Sequence, residues 1–228
     1  MAPTTIELPL FPLGTTVLFP RYPVPLIIFE PRYRMMIAKC LEVNTLFGIV
    51  LIQEGIEVGD PAEPFSTGML VRIASSEKYP DGRYSILAVG VERFRVIEHL
   101  QVDPFRVARV ELWPDAEGDP IEMEHRAIEV QGLLHDYFER LRARLNERGS
   151  EIDSIQPPTS PEELASFVAS LLPIPPTEKQ GLLELPGPTE RLIKEAEILR
   201  REITFLGRFG ALSVEDRYRV QQRPRSMN

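Results

Sequence analysis

The sequence predicts an α+β chain: a small, closed or nearly closed β-sheet followed by a four-helix bundle. Three observations carry this expectation. From Ile6 to about Trp113 the apolar residues fall in short runs rich in Val, Ile and Phe, bounded by Gly, Pro or Asp, as strands are. From Ile121 on they recur every three or four residues, the period of a helix. Between the two regimes lies Trp113-Pro114-Asp115-Ala116-Glu117-Gly118-Asp119-Pro120, acidic and broken by proline and glycine, the natural hinge. The expected organisation is a sheet lobe over 1–115, a helical lobe over 120–206 and a basic tail over 207–228.

In the first half, strands are expected at 16–19, 25–30, 45–52, 68–75, 83–89, 91–98 and 105–112. Tyr79-Pro80-Asp81-Gly82 is a turn signal, because Pro80 presets its φ and Gly82 accepts a positive one. It should join 68–75 to 83–89 as a hairpin. Gly90 permits a tight connection or a bulge, and the alternation slips after Val107, which predicts another bulge. One short helix interrupts the strands. Pro31 stands at its first turn, and Tyr33, Met36, Ile37, Cys40 and Leu41 share a face.

In the second half, Ala127, Val130, Leu134, Phe138, Leu141 and Leu145 form the first helical stripe. Ser160-Pro161-Glu162-Glu163 reads as a helix start with Ser160 as N-cap. Thr177-Glu178-Lys179-Gln180 reads as a second start, and Pro186-Gly187-Pro188 stops that short helix. Thr189 is placed to cap the last helix, whose stripe is Leu192, Ala196, Leu199, Ile203 and Leu206.

Composition excludes several classes of function. With 26 Lys+Arg against 34 Asp+Glu the net charge is −8, which disfavours nonspecific binding to nucleic acid or to an anionic membrane. A single cysteine, Cys40, allows no internal disulfide and no CxxC motif, so the expected compartment is the cytoplasm. Residues 1–20 have no basic stretch before an unbroken apolar run, so no targeting segment is expected. No apolar run approaches the ~20 residues of a membrane span.

Catalytic chemistry is equally thin. No glycine is followed by lysine, so there is no GxxxxGK[ST] loop to cradle phosphates. His125 and His135 sit about 15 Å apart along one helix and roughly 80° apart around it, too far to share a metal. Glu122/Glu124 and Glu195/Glu197 are two residues apart and diverge; Glu190 with Lys194 and Glu197 with Arg201 read as solvated pairs. There is no GxSxG nucleophile elbow. The chain is expected to be no enzyme and to need no cofactor and no metal.

A family resemblance adds a function. Leu8-Pro9-Leu10-Phe11-Pro12-Leu13, the stretch from Phe19-Pro20 through Pro25-Leu26-Ile27-Ile28-Phe29-Glu30-Pro31-Arg32-Tyr33, and Phe47-Gly48-Ile49-Val50-Leu51 look like the amino-terminal domain of Lon proteases. They look closer still to stand-alone bacterial proteins carrying only that domain. Ala88-Val89-Gly90-Val91-Glu92-Arg93-Phe94-Arg95-Val96, then Leu172-Pro173 with Glu178-Lys179-Gln180, and Glu202-Ile203-Thr204-Phe205-Leu206 continue the likeness, which spans about 6–206. It implies a PUA-like β pseudo-barrel with one short helix, followed by a four-helix bundle, and a non-catalytic role in holding or recruiting unfolded or tagged polypeptides in protein quality control. It admits a separate protease as a partner, and weak self-association. The ATPase and serine–lysine peptidase modules of a full Lon protease have no counterpart in these residues.

Three places are candidates for polypeptide contact: Phe11 and Pro12 with Leu18, Phe19 and Pro20; Glu30, Arg32 and Tyr33 at a strand-to-helix turn; and Phe65 and Met69 beside an acidic loop. Core paving is the competing role for the first group, and local pairing near the helix start for the second. A groove between the lobes or an open strand edge would receive the chain. The alternative function is RNA binding, because PUA-like barrels elsewhere bind RNA. Residues 1–113 carry 11 Lys+Arg and 13 Asp+Glu, which weighs against it. Arg72, Arg93, Arg95, Arg106 and Arg109 gathered on one side would restore it.

Overall fold

The computed structural model describes residues 4–55, 62–145 and 155–209. The expected basic tail lies outside the described residues from 210 onward. Among the described residues six strands and five helices follow in order: β1 (Thr5–Leu13), β2 (Pro23–Ile28), α1 (Pro31–Glu42), β3 (Phe47–Glu54), β4 (Glu63–Lys78), β5 (Tyr84–Gln101), β6 (Val107–Leu112), α2 (Pro120–Leu145), α3 (Pro161–Leu171), α4 (Pro176–Leu183) and α5 (Pro188–Phe209). The chain forms two compact units. One runs to Ala116 and adds Pro176–Pro186; the other takes Glu117–Pro175 and continues from Gly187.

The class is α+β, but the expected architecture is corrected twice. The strands do not make a PUA-like pseudo-barrel. They form one six-stranded mixed sheet in the order β2-β5-β4-β3-β1-β6, with a further pairing of β5 to β6. The physical reason lies in β2, which stands outside the β5–β6 pairing: Pro23 and Pro25 have no N–H to give a second neighbour, so β2 pairs with β5 alone and leaves the sheet an open edge. Nor do the described residues form a four-helix bundle. Helix α4 belongs to the sheet unit, which leaves α2, α3 and α5 in the other.

Strand β1 was hidden by its prolines. It pairs antiparallel with β6 over Thr5 to Pro9 and parallel with β3 over Leu10 to Leu13. Each half therefore has one ladder partner, and the nitrogens of Pro9 and Pro12, which carry no hydrogen to donate, can face the side where no bond is needed. Residues 16–19 are not a strand. Pro20 makes an isolated bridge to Gly90, and the backbone N–H of Arg21 donates to the Gly90 carbonyl at 2.8 Å.

Strand β5 is continuous through Gly90 and holds the expected bulge there, with Val91 as the extra residue between Leu70↔Glu92 and Val71↔Gly90. The bulge expected after Val107 falls on the partner strand instead, where β5 inserts Ile97 and Leu100 against a regular β6. Any side chain at residue 90 would collide with the Phe19 carbonyl and crowd Met69. Gly90→Val is therefore expected to lower stability by about 1–3 kcal/mol in urea denaturation. Faster hydrogen exchange at Arg21 would localise the damage, and unchanged exchange there would argue against this account.

The β4–β5 hairpin closes as its sequence implies. Gly82 has φ +84°, its N–H donates to the Tyr79 carbonyl at 2.9 Å, and Asp81 accepts from the Arg83 backbone N–H at 3.0 Å and from Arg83 Nε at 2.7 Å. These bonds from Arg83 hold the Asp81 carboxyl below the usual carboxylate range. One core cluster gathers Leu8, Leu10, Val50, Leu70, Phe94, Ala108 and Val110. The Phe94 ring lies over Gly48 and Gly68, where a Cβ would meet it at 2.7 and 2.6 Å. Helix α1 buries Tyr33, Met36, Ile37 and Cys40 as expected, while Leu41 stays exposed. Burial pushes the Cys40 thiol up to about 11.

In the second unit, Ala127, Val130, Leu134 and Phe138 of α2 and Leu192, Ala196, Leu199 and Leu206 of α5 are buried. The Ser160 hydroxyl accepts from the Glu163 backbone N–H, the N-cap bond its sequence implies. Thr189 is not a cap; it lies inside α5, buried against Gly118. Glu197 pairs with Lys194 at 2.7 Å, and Glu195 is not solvated but fully buried, on the same helix as the fully buried Arg191.

Candidate functional site

The passage from β2 into α1 builds a hollow of about 120 Å³ lined by Phe11, Leu13, Thr16, Leu26, Ile27, Ile28, Phe29, Glu30 and Tyr33. Alternation along β2 sends Ile28 into the core and leaves Ile27 outside, 49% exposed. The chain then turns into α1, and Phe29 stands 52% exposed at the corner. The rings of Phe11 and Tyr33 meet at 4.4 Å between centroids, tilted by 53°. Arg32 closes one side. Its Nε and Nη2 both donate to Glu30 Oε2, at 3.0 and 2.9 Å, and its guanidinium lies 4.6 Å from the centre of the Tyr33 ring. Glu30 thus pairs with Arg32 and makes no side-chain cap on α1.

The hollow therefore unites Phe11, Glu30 and Tyr33 of the sequence candidates, with Arg32 beside them. Pro12 is buried in β1. Leu18, Phe19 and Met69 are also buried and offer little surface to a ligand. Pro20 and Phe65 are half-buried and do not line the hollow. Sequence reasoning passed over Ile27, while Phe29 already stood in the stretch Phe29-Glu30-Pro31-Arg32-Tyr33 at the strand-to-helix turn. The alternation of β2 placed Ile27 outside, and Phe29 precedes the Pro31 helix start, so both signals were present.

The open edge of β2 is poorly suited to strand addition. Prolines in an edge strand turn their nitrogens to solvent, so Pro23 and Pro25 remove donors from that edge and leave Ile27 on the same register face. Side-chain capture fits this surface better than β-augmentation.

The five arginines do not form one basic face. Arg93 and Arg106 are buried, Arg106 donating to the Ala62 carbonyl. Arg109 is held by Glu98 at 2.6 Å and Glu7 at 3.1 Å, and Arg95 stacks 3.5 Å from the Trp113 ring centre. Among the described residues no group of three His, Cys, Asp or Glu is placed to hold a metal, and no helix is long and apolar enough to cross a membrane.

Helix α4 is fastened to the sheet by polar groups. Gln180 Nε2 donates to the Thr67 carbonyl at 3.1 Å and to Glu184 Oε1 at 2.8 Å. Arg93 donates to the carbonyls of Leu183 at 2.8 Å and Pro186 at 2.9 Å, and to those of Leu185 and Pro114. Burial pulls the Lys179 ammonium on α4 down to about 8.

Comparison with known proteins bears on this site. The family described as the ATP-dependent protease La (LON) substrate-binding domain matches residues 7–201. A Lon protease of Trichlorobacter lovleyi is 29% identical over 163 residues, which cover 68% of this chain and 19% of that protein. Lon protease 2 of Herpetosiphon aurantiacus is 29% identical over 212 residues, 90% of this chain and 25% of that one. The chain spans about a fifth to a quarter of the length of the relatives it matches. Among solved structures, a Lon N-terminal domain protein from Xanthomonas campestris aligns with a TM-score of 0.59 at 25% identity, over 83% of this chain and 96% of that one. The N-terminal domain of Mycobacterium avium complex Lon protease aligns with a TM-score of 0.66 at 20% identity, over 86% of this chain and 98% of that one, a likeness of fold.

Proposed function

The chain belongs to the family of the ATP-dependent protease La (LON) substrate-binding domain, and from that premise we propose that it holds apolar side chains of unfolded or tagged polypeptides in the hollow between β2 and α1. The observation that carries this is the pair Ile27 and Phe29, half exposed at the rim above the Phe11–Tyr33 ring pair. A hollow of about 120 Å³ admits one side chain rather than a folded surface. The rim residues are anchored by the β2–β5 ladder and the start of α1, so little freedom is lost on binding. The reading places the chain in the cytoplasm, receiving clients for a separate protease. Its matched region is the substrate-binding domain, without the P-loop of an ATPase.

Reduced, unfolded casein is the first probe. Phe29→Ser is expected to weaken its binding about tenfold, the cost of removing one well-placed aromatic contact. Melting should hardly change, because Phe29 is already half in water. Amide protection on adding casein should concentrate at residues 26–33. Full affinity in Phe29→Ser, or protection confined to other segments, would remove this site.

A further inference from the structure

On the other side of the same turn lies a second hollow, of about 270 Å³, lined by Pro31, Arg34, Met35, Ala38, Lys78, Gly82 and Tyr84. We propose that it binds the carboxylate of a polypeptide; this rests on the polypeptide-binding reading and assigns that surface a second, charge-selective contact. The walls carry two cations and no carboxylate. Arg34 comes from α1 and Lys78 from the end of β4, so two separate elements converge on one hollow. Lys78 Nζ lies 5.5 Å from the Tyr84 ring centre, and among the described residues no carboxylate lies within ion-pair distance of it. Asp81 is close enough for its acidity to respond to Arg34, yet both its oxygens accept from Arg83. Gly82 is what lets Arg34 lie across the hairpin, since any side chain there would collide with the guanidinium.

The rest of the wall, Pro31, Met35, Ala38 and Tyr84, is largely apolar. That mixture suits an apolar residue next to a carboxylate better than a bare inorganic anion. The two hollows are also linked through the sheet. Ile28 pairs with Tyr84 across β2–β5, and Tyr84 pairs with Lys78 across β5–β4. Neighbouring strands lie about 4.8 Å apart, so Ile28 of the first hollow and Tyr84 and Lys78 of the second stand on three adjacent strands.

The test uses the full chain and fluorescence anisotropy with labelled alanine–serine peptides ending in Leu-Phe. One peptide has a free C-terminal carboxylate, one a C-terminal amide, and one an amide plus an interior Glu. The carboxylate peptides are expected to bind about tenfold more tightly than the neutral one, and the free-acid and Glu arms separate a chain terminus from an acidic side chain as the source. Arg34→Gln with Lys78→Gln should abolish the preference while casein binding persists. Lys78→Glu, a single reversal at an exposed position, should invert it. Equal affinity for charged and neutral peptides, or a preference that survives the double variant, overturns the carboxylate site and leaves the apolar hollow standing. Displacement of the peptides by inorganic phosphate at equal concentration reassigns the hollow and also overturns the proposal. Failure of casein and every peptide to bind overturns both readings.

Discussion

Arg93→Ala is expected to cost the sheet unit about 3–5 kcal/mol, the usual loss when one partner of a buried charged network is removed. The Arg93 side chain is 1% exposed, and its guanidinium serves four carbonyls, those of Pro114, Leu183, Leu185 and Pro186. It also pairs with Asp115 at 2.7 Å and stacks 4.3 Å from the Trp113 ring centre. A helix ends with carbonyls that lack intrahelical donors, and at the end of α4 Arg93 supplies them. Alanine leaves those oxygens dry and unpaired. At roughly 2–4 °C per kcal/mol the melting point should fall by about 10 °C. Exchange at the Glu184 and Leu185 amides, which close the last turn onto Gln180 and Leu182, should accelerate most. Arg93→Lys should recover less than half the loss, because an ammonium has three donors and no planar fork. Wild-type exchange at 184 and 185 in Arg93→Ala would show that α4 is held by its apolar face alone.

Glu195→Gln should remove a pH trend. Burial drives the Glu195 carboxyl well above the usual carboxylate range, and Arg191 and the Ala169 backbone N–H only partly pull it back. The folded state then holds a proton that the unfolded chain releases above its ordinary value of about 4.3. The stability Glu195 contributes is full below that value and is lost as pH rises through the raised folded one, with a slope of at most about 1.4 kcal/mol per pH unit. Asp81, Glu129 and Glu197 are shifted downward, so their contribution runs the other way and is lost in acid. Between pH 5 and pH 8 the wild-type urea midpoint should fall with rising pH, and that of Glu195→Gln should stay level. Parallel curves for the two proteins would mean that Glu195 is ionised in the fold.

Much of this was legible in the residues, and the exceptions share a cause. The Tyr79–Gly82 hairpin, the buried face of α1 and the Ser160 cap are local, so spacing alone reveals them. Strand β1 was lost because Pro9 and Pro12 forbid a ladder only on the side where an N–H is required, and which side is paired is a tertiary fact. The same limit misled the barrel expectation: strand patterns show where the chain extends and not which strands pair, and the prolines of β2 mark an edge only once β5 is known to be its neighbour. Arg93 was weighed only for a shared basic side and Glu195 only for its spacing from Glu197, since a charged residue declares its burial only through partners far along the chain. At the candidate site, the order of residues from Pro25 to Tyr33 marked the strand-to-helix turn. Arg34 and Lys78 were not singled out, because they come together only through the fold of α1 onto the hairpin.

The placement of α4 sets a schedule for synthesis. The sheet unit lacks its last piece until Pro186 has been made, although its strands are complete by Leu112. At about 5–20 residues per second, the nascent sheet waits roughly 4–15 seconds with Arg93 and the Thr67 carbonyl still without their α4 partners. A fragment cut at Ala116 would stay in that waiting state permanently, with a buried cation and no helix end to receive it. The sheet unit is therefore complete in space but not in sequence, and a boundary drawn at the hinge divides it.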